Sequence, residues 1–329
     1  MAQGRLTRPA AAKAKAAERR LAVAAAKRSA KACDRRGSGP LRDKQIRPAT
    51  LVRYVMAMQT FFHWISAVSL MVPDTSEEFD SLLQEWAEAL YSEGDPKSLY
   101  ANCLSGLQHK VHSLRGRLRG AWRLYGTWTK SEPPSQAPPM TVAMVHAMAG
   151  FFASLGERAA AIMILVAFNC ILRIAEMCKL RPIDCTATAK SVLMVLIDPK
   201  VGGRAGVHEQ VTCTDPWLAP LLSQLVNTTP SGGRLLGMDG FKFRRIWKKG
   251  RTALGLPAKY TPYSIRRGGA TALFKHCGRY DKVSEKGRWN SVKAMRGYIN
   301  AALTEIPLQD ELRGFRKVSD KYAQCLRVL

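Results

Sequence analysis

Residues 131–139 read SEPPSQAPP, four prolines in nine positions. Proline fixes φ and removes the amide donor, so neither a helix nor an internal strand continues through such a stretch. It parts residues 48–130 from a body of residues 140–329, and each must build its own core. In the first segment Leu51, Tyr54, Val55, Met58, Phe61, Phe62, Trp64 and Ile65 recur at steps of three and four, the period of a helix with one buried face. A second helical stretch covers Phe79 to Tyr91, and a third runs from Leu99 through HKVHSLRGRLRGAWRLYGTW. The third sets Lys110, Arg115, Arg117, Arg119 and Arg123 among apolar residues. That pattern suits a helical unit that grips DNA, and it suits a merely solvated helix face equally well.

The body opens with helical patterns over Met140–Leu155 and Glu157–Lys179. Two β-like runs follow, Ser191–Ile197 and Val207–Cys213, joined by the Gly-rich DPKVGGRAG, which reads as a hairpin with a long loop. Helices return from Pro216 to the C-terminus, broken at Gly232–Gly233, Gly255–Pro257 and Gly287. The expected fold class is mainly α with a small antiparallel β-sheet.

Lys and Arg number 51 against 25 Asp and Glu, a formal charge of +26. Residues 1–47 hold 14 of the bases and 3 of the acids, so that segment carries +11 and the remainder +15. The folded part is thus basic in its own right, which favours a polyanionic partner, nucleic acid being the commonest. Residues 1–47 read as a basic tail without regular structure. A nuclear-import signal, a DNA-tracking arm, a transit peptide and a plain solvated tail all fit it. The longest apolar run, Ala159 to Leu172, is 14 residues and contains Asn169, too short to span a bilayer. The eight cysteines form no CxxC pair and no histidine stands at zinc-ligand spacing, so no metal site is expected. Scattered single thiols read as those of an intracellular protein.

Three separated segments carry candidate chemistry. In CILRIAEMCKL, Arg173 interrupts an apolar helical pattern three residues before Glu176; taken alone, the pair reads as a structural salt bridge. In YTPYSIRRGGAT, Thr261 has the character of an N-cap and Pro262 that of a first helical residue. Tyr263 and Arg266 then stand one turn apart near a helix N-terminus, where anions are favoured. In GRWNSVKAMRGYIN, Trp289 precedes a cap at Asn290 or Ser291, and Tyr298 follows nine residues after Trp289. Alone, each reads as ordinary packing.

Together the three segments resemble the tyrosine recombinase (phage integrase) family. Leu172, Arg173 and Glu176 match that family's leucine–arginine–x–x–glutamate motif, and Lys200 in DPKVGGRAG occupies its β-hairpin lysine. Arg266 matches the arginine of the His-x-x-Arg motif, and Trp289 and Tyr298 match its His-or-Trp and tyrosine pair. The strings SIRRGGAT, GRW and YIN look most like the recombinases of DIRS-type mobile elements. The resemblance implies a tyrosine-recombinase catalytic fold over 140–329, preceded by a helical core-binding domain over 48–130. It implies a nucleophilic Tyr298, phosphate neutralisation by Arg173 and Arg266, proton donation by Lys200, and support from Trp289 and Glu176. Arg204 and Arg267 join the five cations of the first segment as expected DNA contacts. The implied partner is double-stranded DNA, held by a homotetramer on paired sites in the nucleus, with neither metal nor other cofactor. The C-terminal LQDELRGFRKVSDKYAQCLRVL is either a helix exchanged between subunits or one packed on its own.

The one departure is Tyr263, which stands where the family keeps histidine. A phenol with a pKa near 10 donates a hydrogen bond but is a poor acid–base group at neutral pH. Three alternatives stay open: a recombinase-derived DNA-binding protein without catalysis, a type IB topoisomerase, and a basic RNA-binding or structural protein.

Overall fold

Beginning from the N-terminus, the alanine-, lysine- and arginine-rich segment is a single helix, α1 (Arg8–Gly37), rather than an irregular tail. These residue types have high intrinsic helix propensity. The sequence supplies no apolar stripe, and nearly every side chain from Ala22 onward is exposed. The computed structural model describes residues 8–37, 40, 45–133, 135–196, 209–299 and 313–329. The chain divides into two units, Met1–Pro134 and Ser135–Leu329, the boundary falling inside the proline-rich stretch.

In the first unit α2 (Pro48–Ala67), α3 (Ser76–Glu93), α4 (Lys97–Lys110) and α5 (Arg119–Ser131) surround one apolar core. Phe61, Trp86 and Tyr100 form its centre, with ring centroids 5.0 Å and 5.8 Å apart in sequence. A capping box starts α3: the Glu78 amide donates to Thr75 Oγ1 at 3.2 Å and the Thr75 amide to Glu78 Oε2 at 3.4 Å. Asp80 on α3 accepts the amides of Gly120 and Ala121 at 2.8 and 2.9 Å, satisfying two orphan donors at the start of α5. The third helical stretch of the sequence is therefore two helices. Val111 is extended and Gly116 has φ 75°, so a 3-10 turn (His112–Leu114) and a bend separate α4 from α5. Arg115 and Arg117 belong to this connection, Arg119 and Arg123 to α5.

The second unit is built on α6 (Val142–Ser154) and α7 (Arg158–Asn169), both buried along most of their length. Against them lie α8 (Ile174–Met177), α9 (Leu218–Thr228), α10 (Gly240–Ala253) and α11 (Tyr263–Cys277). Then come α12 (Tyr280–Gly287), α13 (Val292–Arg296) and α14 (Arg313–Gln324). An antiparallel sheet of order β1–β2–β3 stands beside them, formed by Cys185–Ala187, Val192–Leu196 and Glu209–Cys213. The β2–β3 hairpin pairs Val192 with Cys213 and Leu196 with Glu209. The mainly α fold with a small antiparallel sheet is thus the one observed. Strand β1 has no signature in the sequence: three residues, Cys-Thr-Ala, carry no period, and pairing with Met194 to Val192 selects the conformation.

Two close approaches explain the GG pair. A Cβ on Gly268 would run into the Met140 carbonyl oxygen, and one on Gly269 into that of Phe168, so α11 lies directly against α7. Helix α14 packs along α6 of its own chain, with Phe315 buried and the Tyr322 ring 5.1 Å from Phe151. Among the described residues, no helix is long and apolar enough to cross a membrane.

Candidate active site

The helix expected over Glu157–Lys179 breaks at its middle. Helix α7 stops at Asn169, Ile171 takes φ 50°, and Arg173 is extended (φ −81°, ψ 142°) before the short α8. A left-handed backbone is costly for a β-branched residue. Tertiary contacts impose it: the Ile171 side chain is fully buried with Ala270, Val283 and Met295, and its carbonyl accepts a hydrogen bond from Arg266 Nη1. The break takes Arg173 out of the helix and makes it the residue that precedes α8. Glu176 then accepts the Arg173 amide at 2.8 Å and pairs with its guanidinium, so the predicted partners meet in a capping arrangement.

Helix α11 begins one residue later than the Thr261 cap implied, with Pro262 preceding it; Thr261 donates its amide to Ser264 Oγ at 3.1 Å. One turn separates Tyr263, 43% exposed, from Arg266, 1% exposed. The Arg266 guanidinium donates to the carbonyls of Ile171 and, at 2.6 Å, Gly287, and so joins the approach to α8 to the end of α12. Its Cζ lies 4.6 Å from the Trp289 ring centroid and 5.8 Å from that of Tyr298. Burial first, then the neighbouring charges of Arg173 and Arg288, lower its pKa to about 10, which leaves it cationic at neutral pH. Its Nε is buried without a hydrogen-bond partner. Arg267, expected to contact DNA, is also buried: Nη1 donates to the Gly297 carbonyl at 2.6 Å and thereby holds the residue before Tyr298.

Ser291 caps α13, accepting the Ala294 amide at 3.2 Å. The Tyr298 ring, half-buried, packs 4.7 Å from Trp289 and 5.5 Å from Tyr263. Burial pushes the Tyr298 phenol up, but hydrogen bonding from Tyr263, the nearby Trp289 indole N–H, and the charges of Arg266 and Arg173 outweigh it. The net direction is below an ordinary phenol. The Trp289 N–H itself is buried and forms no hydrogen bond of normal geometry, so its effect on Tyr298 is one of proximity. Tyr263 moves the opposite way, raised by burial and by its bond to Tyr298, and stays protonated as a donor. Tyr263, Arg267 and Tyr298, with Lys259 and Thr261, line an open cleft of about 570 Å³.

Arg173, Glu176, Tyr263, Arg266, Trp289 and Tyr298 thus converge. Lys200 and Arg204 lie outside the described residues. Lys110, Arg115, Arg117, Arg119 and Arg123 are all exposed on the first unit. Two features escaped the sequence reading. Arg288 bridges Glu176 Oε2 at 2.7 Å and Glu209 Oε2 at 2.8 Å, with its side chain 8% exposed, and no spacing rule marks it. Helix α10 exposes Arg244, Arg245, Lys248 and Lys249; the string FRRIWKKGR was a readable signal of a basic face.

No protein-family model and no curated protein matches this sequence. Solved structures do. A Tn1549 transposon integrase in complex with transposon right end DNA superposes with a TM-score of 0.59 at 13% identity, over 81% of this chain and 95% of that one. The XerH site-specific recombinase bound to difH substrate gives 0.51 at 13% identity, over 76% of each chain. The chain has the tyrosine-recombinase fold. The six converging residues therefore sit on a tyrosine-recombinase scaffold.

Proposed function

We propose that this chain is a site-specific DNA recombinase that cuts and rejoins DNA through a 3′-phosphotyrosyl intermediate on Tyr298. The observation that carries the reading is the Tyr298 phenol itself. It is packed between Trp289 and Tyr263, lies beside two arginines, and has a pKa held below that of an ordinary phenol. Tyr298 gives up its phenolic proton to solvent; attack of the phenolate Oη on a phosphodiester then forms the O–P bond and breaks the bond from phosphorus to the 5′ oxygen, which leaves with a proton. Arg173 and Arg266 offset the charge that builds on the non-bridging oxygens. Tyr263, held protonated, donates a hydrogen bond to the Tyr298 oxygen or to a phosphate oxygen, in place of the family's histidine. Lys200 is the proton donor to the leaving oxygen. Because the phosphotyrosyl ester conserves the phosphodiester's energy, rejoining is the same reaction reversed and needs neither a metal nor a nucleotide.

Double-stranded DNA is the partner in this reading, supported by the net charge of +26 and by exposed cations on α5 and α10. We extend the reading to a homotetramer on paired sites on the strength of the family resemblance, to a nuclear location on that of the basic N-terminal segment, and to a DIRS-type mobile element on that of the motifs SIRRGGAT, GRW and YIN. Residues 48–130 act as the core-binding domain, and residues 140–329 as the catalytic one. The competing reading, a DNA-binding protein that no longer cleaves, draws on Tyr263 in the histidine position. Incubating the full chain with a random-sequence duplex library and sequencing the detergent-stable adducts separates them. A recombinase yields adducts with a shared sequence, and a non-cleaving binder retains DNA without any.

A further inference from the structure

Arg288 has a backbone that suits glycine. It takes φ 57° and ψ 49° at the end of α12, a left-handed conformation that disfavours every residue with a Cβ. An arginine there needs a reason, and its side chain supplies one. Nη2 donates to Glu176 Oε2 and Nε to Glu209 Oε2, so one guanidinium spans α8 and β3 from a third segment. Glu176 is fully engaged: its other oxygen pairs with Arg173 Nη1, and Oε2 also accepts the Arg173 amide. The backbone on either side of Arg288 is engaged as well. The preceding carbonyl, Gly287, receives Arg266 Nη2, and the next residue is Trp289, whose amide donates to the Ser284 carbonyl at 2.9 Å.

We propose that Arg288 is a positioning residue for the reaction at Tyr298. It orients Arg173 through Glu176, and it fixes the Gly287 carbonyl that seats Arg266 and the turn that presents Trp289. This rests on the recombinase reading, and it adds a residue that touches neither the nucleophile nor the scissile phosphate. A buried ion pair contributes little net stability compared with apolar packing, because desolvation offsets the attraction; what it supplies is a fixed geometry. The two carboxylates balance the charges of Arg288 and Arg173, and the neighbouring Arg266 leaves the cluster with one net positive charge.

The test uses Arg288→Gly in the full chain, because glycine keeps the left-handed turn while removing the fork; the folded fraction is measured by urea unfolding and every rate is expressed per folded molecule, since two buried carboxylates lose a partner. Beside the folded fraction, three quantities are measured: DNA affinity, the first-order rate of adduct formation at saturating DNA, and backbone hydrogen exchange of residues 171–178 without DNA. We expect affinity within about threefold and a rate lowered roughly tenfold to a hundredfold, the scale of an ångström-level misplacement. Exchange of 171–178 should become faster, and Arg288→Lys, which keeps the charge, should recover part of the rate. A merely structural arginine would lower the folded fraction and leave the rate per folded molecule unchanged, and that result overturns the proposal. Unchanged exchange in 171–178 also overturns it. If the wild-type chain forms no adduct, the recombinase reading fails. The exchange result alone then decides whether Arg288 orders the Arg173 segment.

Discussion

In the N-terminal unit Lys110, Arg115, Arg117, Arg119 and Arg123 stand in solvent, whereas in the second unit Arg266, Arg267 and Arg288 are withdrawn from it. The exposed cations are held loosely; Arg115 and Arg119 each make one hydrogen bond, to a local carbonyl. The buried ones are tied to carbonyls and carboxylates from distant segments. An exposed cation meets a polyanion through charge and gives affinity that salt removes. A buried guanidinium, desolvated and fixed in advance, gives a geometry that a transition state can use without reorganisation. In the proposed reading the same residue type thus performs two tasks, distinguished by burial and by partners.

Substitutions can break that contrast. The largest effect is expected at Arg266. Arg266→Ala removes the seat for two carbonyls and the charge beside Tyr298, and should raise the cleavage barrier by about 3 kcal/mol or more, on the order of a hundredfold in rate. Single-turnover adduct formation measures it, and a loss of affinity with an unchanged rate would place Arg266 with the exposed cations.

Tyr263→Phe should have a smaller effect that depends on pH. Tyr298 sits below an ordinary phenol in part through Tyr263. Removing that hydrogen bond raises the Tyr298 pKa, so the rate should climb at higher pH than in the wild type while the alkaline plateau is largely retained. A pH–rate profile that does not move would show that Tyr263 leaves the phenolate untouched. Tyr263→His, which restores the family's usual residue, should cleave at least as fast as wild type near neutral pH.

In the N-terminal unit, Arg119→Ala and Arg123→Ala should each weaken binding of every DNA sequence alike. Each should reduce the slope of log affinity against log salt by about one, with no change in the rate at saturation. A rate defect in either variant would erase the contrast between the two units.

The smallest expected effect concerns stability. Glu176 is buried, which raises its pKa, but Arg288 and Arg173 together hold it below the ordinary value of 4.5. Its folded pKa is thus depressed, so its stabilising contribution is present above about pH 4.5 and is lost as pH falls through the lower folded value. Glu176→Gln should flatten stability against pH in that acidic window, as followed by urea unfolding. A curve with the wild-type slope would remove Glu176 from the account.

The same contrast governs what could be read from the sequence. The proline-rich boundary, the helical patterns and the hairpin each follow from local rules. Arg173, Arg266, Trp289 and Tyr298 stand in a recognisable order, and the structure brings them together with Glu176 and Tyr263. The break at Ile171 was not legible, because an isoleucine with positive φ contradicts local propensity and is imposed by burial and by Arg266. Arg288 was not legible either, because its partners lie 112 and 79 residues away in the chain. Arg267 looked like a surface cation in a basic string, and only tertiary packing shows that it holds the Gly297 carbonyl.

The most direct test of the central claim compares wild type with Tyr298→Phe on a nicked duplex carrying a sequence recovered from the adduct library. Equal Kd is expected for the two proteins, with a detergent-stable protein–DNA adduct from wild type and none from Tyr298→Phe. An adduct that persists in Tyr298→Phe would contradict it and move the nucleophile elsewhere.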